Sequence, residues 1–265
     1  MIDIFYLKLI IAFIVSAAWI TTSTMLAERF GSKIGGIITG IPSVIVITLF
    51  FIAWTQSTTV AAESTNIVPV VLGIDALFVA IYILFLRFNF LFSVTVALLA
   101  WFVLALGLVA IKFNNFPFSL LGCFILVTIS YVLVEKVLKV GSSGQQKIKR
   151  TIPQLLFRAV LSGIIVCVAV IMTKIGGPIL GGAFATFPAI MLSTMIITYL
   201  THGKDFSAAV MKTVMISGPI SCLIYVVIVR FLYPFSGLII GTVVSFVISL
   251  IGTYAMYLVL NKRLL

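Results

Sequence analysis

Apolar runs fill this chain from end to end, parted only by short polar, glycine- or proline-containing breaks. Nine of them approach the ~20 residues a helix needs to cross a bilayer. They predict spans at 4–27, 34–54, 66–86, 90–112, 117–139, 153–173, 177–200, 208–232 and 236–260. The clearest break runs from Val140 to Pro153. It holds Gly141-Ser142-Ser143-Gly144 and the basic Lys147-Ile148-Lys149-Arg150, and so reads as a solvated linker. It divides an N-terminal unit of five spans (1–139) from a C-terminal unit of four (153–265), with 140–152 between them.

Composition agrees. The chain is 63% hydrophobic and 9% charged, with mean hydropathy +1.34, where soluble domains carry roughly 25% charged residues. The fold class predicted is all-α and polytopic. The first run follows Asp3, lacks a basic preceding segment and is long, so it reads as a retained span rather than a removable leader. The net charge of +11 does not point to nucleic acid, because the basic residues sit at span ends and there meet lipid headgroups. Cys123, Cys167 and Cys222 lie far apart inside apolar spans, a pattern of neither disulfides nor metal ligands.

Charge also predicts orientation. Arg29, Lys33, Arg87, Lys136, Lys139, Lys147, Lys149, Arg150, Arg158, Lys204, Lys212, Lys262 and Arg263 gather on one side. Lys8, Lys112, Lys174 and Arg230 lie on the other. The richer side is expected to be cytoplasmic, with the N-terminus outside, the C-terminus inside and the protein in the plasma or inner membrane.

Two broken runs resemble one another. Ser32-Lys33-Ile34-Gly35-Gly36 is echoed by Thr173-Lys174-Ile175-Gly176-Gly177. From Pro42 the spacing to Thr48 and Thr55 repeats, without a gap, from Pro188 to Thr194 and Thr201. Lys8–Val15 resembles Arg158–Val166, and Phe116-Pro117-Phe118-Ser119 resembles Tyr233-Pro234-Phe235-Ser236. That last match pairs span 5 with span 9 and leaves span 4 without a partner. An odd number of spans in the first unit then inverts the second, giving an inverted-topology repeat. The plainer explanation is chance likeness between apolar helices.

The broken runs are also the first candidate site. Lipid offers no hydrogen bonds, so a proline- and glycine-interrupted helix persists where protein or a watery cavity surrounds it. Its freed backbone groups and half-helix starts then bind ions or polar solutes. The candidates are Thr39, Gly40, Pro42, Ser43 and Thr48 in the first run, and Gly182, Thr186, Pro188, Ser193 and Thr194 in the second. Against this stands a kinked packing helix, in which small residues only let neighbours approach.

Asp75 is the acid expected nearest the bilayer centre, where a charge is costly and marks a proton carrier or cation ligand by default. A structural, hydrogen-bonded Asp is the alternative. At the Pro42–Pro188 spacing its counterpart is Ser221. Lys33 and Lys174 flank the broken runs, where they either draw an anion into each mouth or, as the plainer reading, snorkel to headgroups; Lys8, Arg158 and Arg230 read as snorkelling too. Glu63 and His202 fall in polar loops. Six carboxylates and one histidine form no zinc site, and no Gly-x-Ser-x-Gly or phosphate-loop motif is present. Neither catalysis nor a cofactor is expected.

The stretch Gly182 to Phe187-Pro188, the run to Tyr199, the turn Thr201-His202-Gly203-Lys204, Ala208-Ala209 and the Pro219 span resemble the GlpM family of small bacterial inner-membrane proteins. The resemblance covers roughly 155–260. It implies a four-span unit with a Gly/Phe-Pro helix, here duplicated; Ile41-Pro42 replaces Phe-Pro in the first copy.

Together these readings predict a secondary transporter of a small polar or anionic solute, H+- or cation-coupled through Asp75, working by alternating access. A channel or uniporter, or a non-transporting scaffold subunit, are the alternatives. The bilayer, the solute and a second copy of the chain are the expected partners.

Overall fold

The computed structural model describes residues 4–29, 42–141 and 151–263, with side chains described over 4–25, 42–141 and 151–255. Thr39, Gly40, the Ser32–Gly36 motif and most of the 140–152 linker lie outside the described residues. Every regular element described is helical. In chain order they are α1 (Ile4–Arg29), α2 (Ser43–Thr55), α3 (Thr58–Ser64), α4 (Val68–Phe85), α5 (Phe90–Ala110), α6 (Phe116–Val132), α7 (Ile152–Ala185), α8 (Ala189–His202) and α9 (Lys204–Arg263). A π-helical turn, Leu133–Val137, extends α6.

Local chemistry sets many of the starts. Asn89 and Asn115 accept from the backbone N–H three residues on, capping α5 and α6, and Ser57 does the same for α3. Pro69, Pro117 and Pro153 sit in first turns, where the missing N–H costs nothing.

Two of the long helices are not straight. Gly177 has φ +81° and Gly237 φ +71°, a backbone region that suits glycine. Each marks a reversal. A side-chain carbon on Gly181 would collide with Thr173, and one on Gly241 would collide with Tyr233, eight residues back in each case. A straight helix would separate those residues by ~12 Å. So 178–185 folds back on 152–176, and 238–263 folds back on 204–236. The Tyr233 hydroxyl bonds Thr242 Oγ1 at 2.8 Å across the second reversal.

α4 is the central element. Most of its residues are buried, from Val68 through Ile83, and it packs on α5, α6, α7 and α9. The outer helices turn apolar side chains outward: Leu91 is 74% exposed, Val103 71% and Phe124 77%. Such surfaces on helices apolar all round suit lipid. Among the described residues, six helices are long and apolar enough to cross a membrane, and α2 is a shorter apolar helix. This is the build of a membrane-embedded protein.

Candidate cavity between two helix starts

α2 and α8 begin alike. Each starts at a proline, Pro42 with φ −75° and ψ 52° and Pro188 with φ −76° and ψ 46°. The proline carbonyl accepts the first helical bond, from Val46 and from Leu192. Thr48 Oγ1 donates to the Val44 carbonyl at 2.8 Å, and Thr194 Oγ1 to the Ile190 carbonyl at 2.7 Å. Thr55 and Thr201 repeat the pattern one step later. Each residue of the first set lies 146 positions before its partner in the second. Neither helix start has a side-chain cap, which leaves its first N–H groups to other partners.

Both starts open on one cavity of about 100 Å³. Its lining keeps the same spacing: Pro42 with Pro188, Val44 with Ile190, Ile45 with Met191, Leu72 with Gly218, and Asp75 with Ser221. Ser43, Thr186, Phe187, Pro219 and Cys222 also line it.

Asp75 is 3% exposed. Its Oδ1 accepts a 2.7 Å hydrogen bond from Trp101 Nε1 of α5. Trp101 is held in turn by an edge-on contact with Phe187, centroids 5.1 Å apart, just before the Pro188 break. Ser221 Oγ donates to the Gly218 carbonyl at 3.0 Å.

Of the residues singled out from sequence, Pro42, Ser43, Asp75, Thr186 and Pro188 come together on this cavity. Thr48, Ser193 and Thr194 do not line it. Their hydroxyls bond back to the preceding helical turn, and Thr194 also accepts from Arg158 at 3.3 Å. Arg158 is thus buried, at 7% exposure, rather than snorkelling. Gly182 is a packing position: a side chain there would strike the Ser64 carbonyl and Ile67. Trp101, Phe187 and Cys222 are additions that only the tertiary fold supplies.

Two contact series fix how the helices run. Along α1 and the first part of α7, Phe13 meets Gly163, the Cys167 thiol donates to the Leu9 carbonyl, and Lys174 lies over the Phe5 ring at 3.7 Å. These helices are antiparallel. Between α4 and the first part of α9, the Tyr82 hydroxyl bonds Ser207 at 2.8 Å at one end, and Arg230 bonds Asn66 and Thr65 at the other. These are antiparallel too. Lys8 joins the Arg230 end, donating to the carbonyl of Trp54 near the close of α2 at 2.6 Å. Tyr199, late in α8, stacks on Phe90 beside Tyr82, at the opposite end.

The chain matches the family described as protein of unknown function DUF3147 twice, over residues 9–114 and 155–262. It belongs to that family, and the two matches are those of a duplicated chain. No curated protein and no solved structure matches it. The first match contains α5 and stops before α6. Span 4 is therefore inside the repeat and span 5 outside it, the reverse of the pairing expected from Phe116–Ser119 and Tyr233–Ser236. Those two strings do different jobs. Pro117 occupies the first turn of a capped helix, whereas Pro234 precedes the reversal at Gly237.

Proposed function

We propose that this protein is a secondary transporter of a small solute, with the cavity between the starts of α2 and α8 as its central site. The observation that carries this reading is the paired lining: five residues from one half and their five counterparts bound a single cavity. A site shared by two repeats is where alternating access places its substrate, because one repeat can rock against the other about it.

The finer architecture follows the same reading. Divided at Gly177 and Gly237, with α3 joined to α4 and 178–185 joined to α8 across the Pro188 break, the helices make nine spans. Counterpart helices packed antiparallel, α1 on α7 and α4 on α9, support an inverted repeat, with α6 as the extra span that inverts the second copy. α2 and α8 leave the cavity toward opposite ends, as inversion requires. Lys8, Lys174 and Arg230 mark one end; Arg87, Lys139, Lys204 and Lys212 mark the other. The positive-inside rule makes the second end cytoplasmic, in a cell membrane, with the N-terminus outside. The family resemblance of the second half fits a four-span unit of this kind.

Of the two solute classes, polar is favoured over anionic, since the charged residue on the described lining is an acid. The test is aqueous access. In a variant with Cys123, Cys167 and Cys222 replaced by alanine, Ser43→Cys should react with an impermeant thiol reagent from either face of a proteoliposome. Val103→Cys, on the lipid-facing surface, should stay silent. A Ser43→Cys protein as silent as Val103→Cys would remove the watery cavity and leave a packing scaffold.

A further inference from the structure

We infer that the cavity takes a small organic cation, an amine of the alkylammonium kind, on the Asp75 carboxylate in exchange for a proton. The binding stands on the geometry; the exchange across the membrane rests on the transport reading.

The carboxylate is the starting point. It lines the cavity, is 3% exposed, and makes one hydrogen bond, through Oδ1 to Trp101. Among the described residues Oδ2 has no hydrogen-bond partner, on a side chain that lines the cavity. A carboxylate accepts about four hydrogen bonds, and burying one with most of that capacity unmet is costly unless a proton or a cation completes it. No Lys, Arg or His is among the described lining residues, and the ion pair found among the described residues, Lys212 with Glu135, is elsewhere.

The rest of the wall selects the ligand's body. Leu72, Val214, Met191 and Phe187 offer apolar surface, which suits a short alkyl chain and not a hydrated metal ion. Ser43 and Ser221 place hydroxyl oxygens on the same lining as further acceptors for an ammonium. The uncapped starts of α2 and α8 would favour an anion. An anion could share the roughly 100 Å³ only with a protonated Asp75, since beside the ionised acid the full charge of the carboxylate outweighs the partial charges of helix ends at such range.

Coupling then follows from single occupancy. The protonated acid and an arriving ammonium ion become a carboxylate–ammonium pair plus one released proton, so charge and atoms balance. Proton and amine exclude each other at one carboxylate, which makes one-for-one antiport. The titratable groups facing Asp75 among the described residues are the thiols of Cys123 on α6 and Cys222 on α9. Trp101 of α5 and Thr186, which caps the end of α7, carry no charge.

The purified full chain in detergent would be melted with methylammonium, propylammonium, sodium chloride or sodium acetate across about pH 6 to 9. An alkylammonium should raise the melting temperature saturably. Its apparent affinity should improve by up to about tenfold per pH unit, where each cation displaces one proton. Asp75→Asn, which keeps an acceptor for Trp101, should melt near the parent and lose the shift. Any of three results overturns the inference: no alkylammonium shift at any pH, a shift kept in Asp75→Asn, or stabilisation by acetate or chloride ions instead. Access at Ser43→Cys without an alkylammonium shift would sink the cation and leave the transport reading. A shift without access would do the opposite.

Discussion

Trp101 reaches from α5 to Asp75 on α4 with a 2.7 Å hydrogen bond, and so holds the carboxylate of one repeat in place against the cavity. The second repeat has no such pair: at the same spacing stand Val247 and Ser221. A two-fold frame therefore carries a one-sided charge.

Trp101→Phe removes the donor and keeps most of the ring. We expect a loss of about 1 kcal/mol, since hydrogen bonds inside membrane proteins average near 0.6 and reach ~1.7. Combining it with Asp75→Ala, which removes the acceptor, in a double-mutant cycle read by reversible denaturation in detergent should show coupling between the two. Strict additivity would mean that the bond does not form.

Gly182→Ala tests the packing role. An added methyl meets the Ser64 carbonyl and Ile67, and overpacking of this kind costs ~1–3 kcal/mol. Gly107→Ala, where nothing lies within 4 Å, should be neutral or slightly stabilising through helix propensity. Equal melting temperatures for the two variants would contradict the close approach of α7 to α3.

Gly237→Ala isolates backbone strain. No atom would touch the new methyl, so its cost comes from φ +71° alone, about 1–2 kcal/mol. The same holds for Gly177→Ala. A variant that melts with the parent would argue against the reversal.

Arg230→Lys should not be conservative. The guanidinium bonds Asn66 and Thr65 and lies over the Phe116 ring, 4.5 Å from its centroid. A lysine cannot reproduce that fork and stacked plane together. We expect a loss of about 1 kcal/mol in the same denaturation assay, with Arg230→Met no better. Unchanged stability in both would make the cluster ornamental.

Much of this was legible in the residues, for physical reasons. Pro42 and Pro188 stood out because proline interrupts a helix wherever it falls, so their spacing shows in the sequence itself. Asp75 stood out because a charge inside an apolar run needs a reason. Trp101 and Phe187 gave no such signal: a buried aromatic in an apolar helix reads as core until its neighbour across the fold is known. Gly182 shows the converse. Glycine beside a break can line a site or seat a neighbour, and only the Ser64 carbonyl decides between them. The pairing of span 5 with span 9 failed because short Phe-Pro-Phe-Ser-like strings reflect what helix starts and turns need, not which helices correspond.

The reversal at Gly237 joins two apolar helices with almost no connecting loop. Such a pair is built to enter a membrane as one hairpin, because no loop separates its two members. Residues 204–263 are in that sense one insertion unit. Their tip would offer a protease, an antibody or an inserted tag almost no chain to hold.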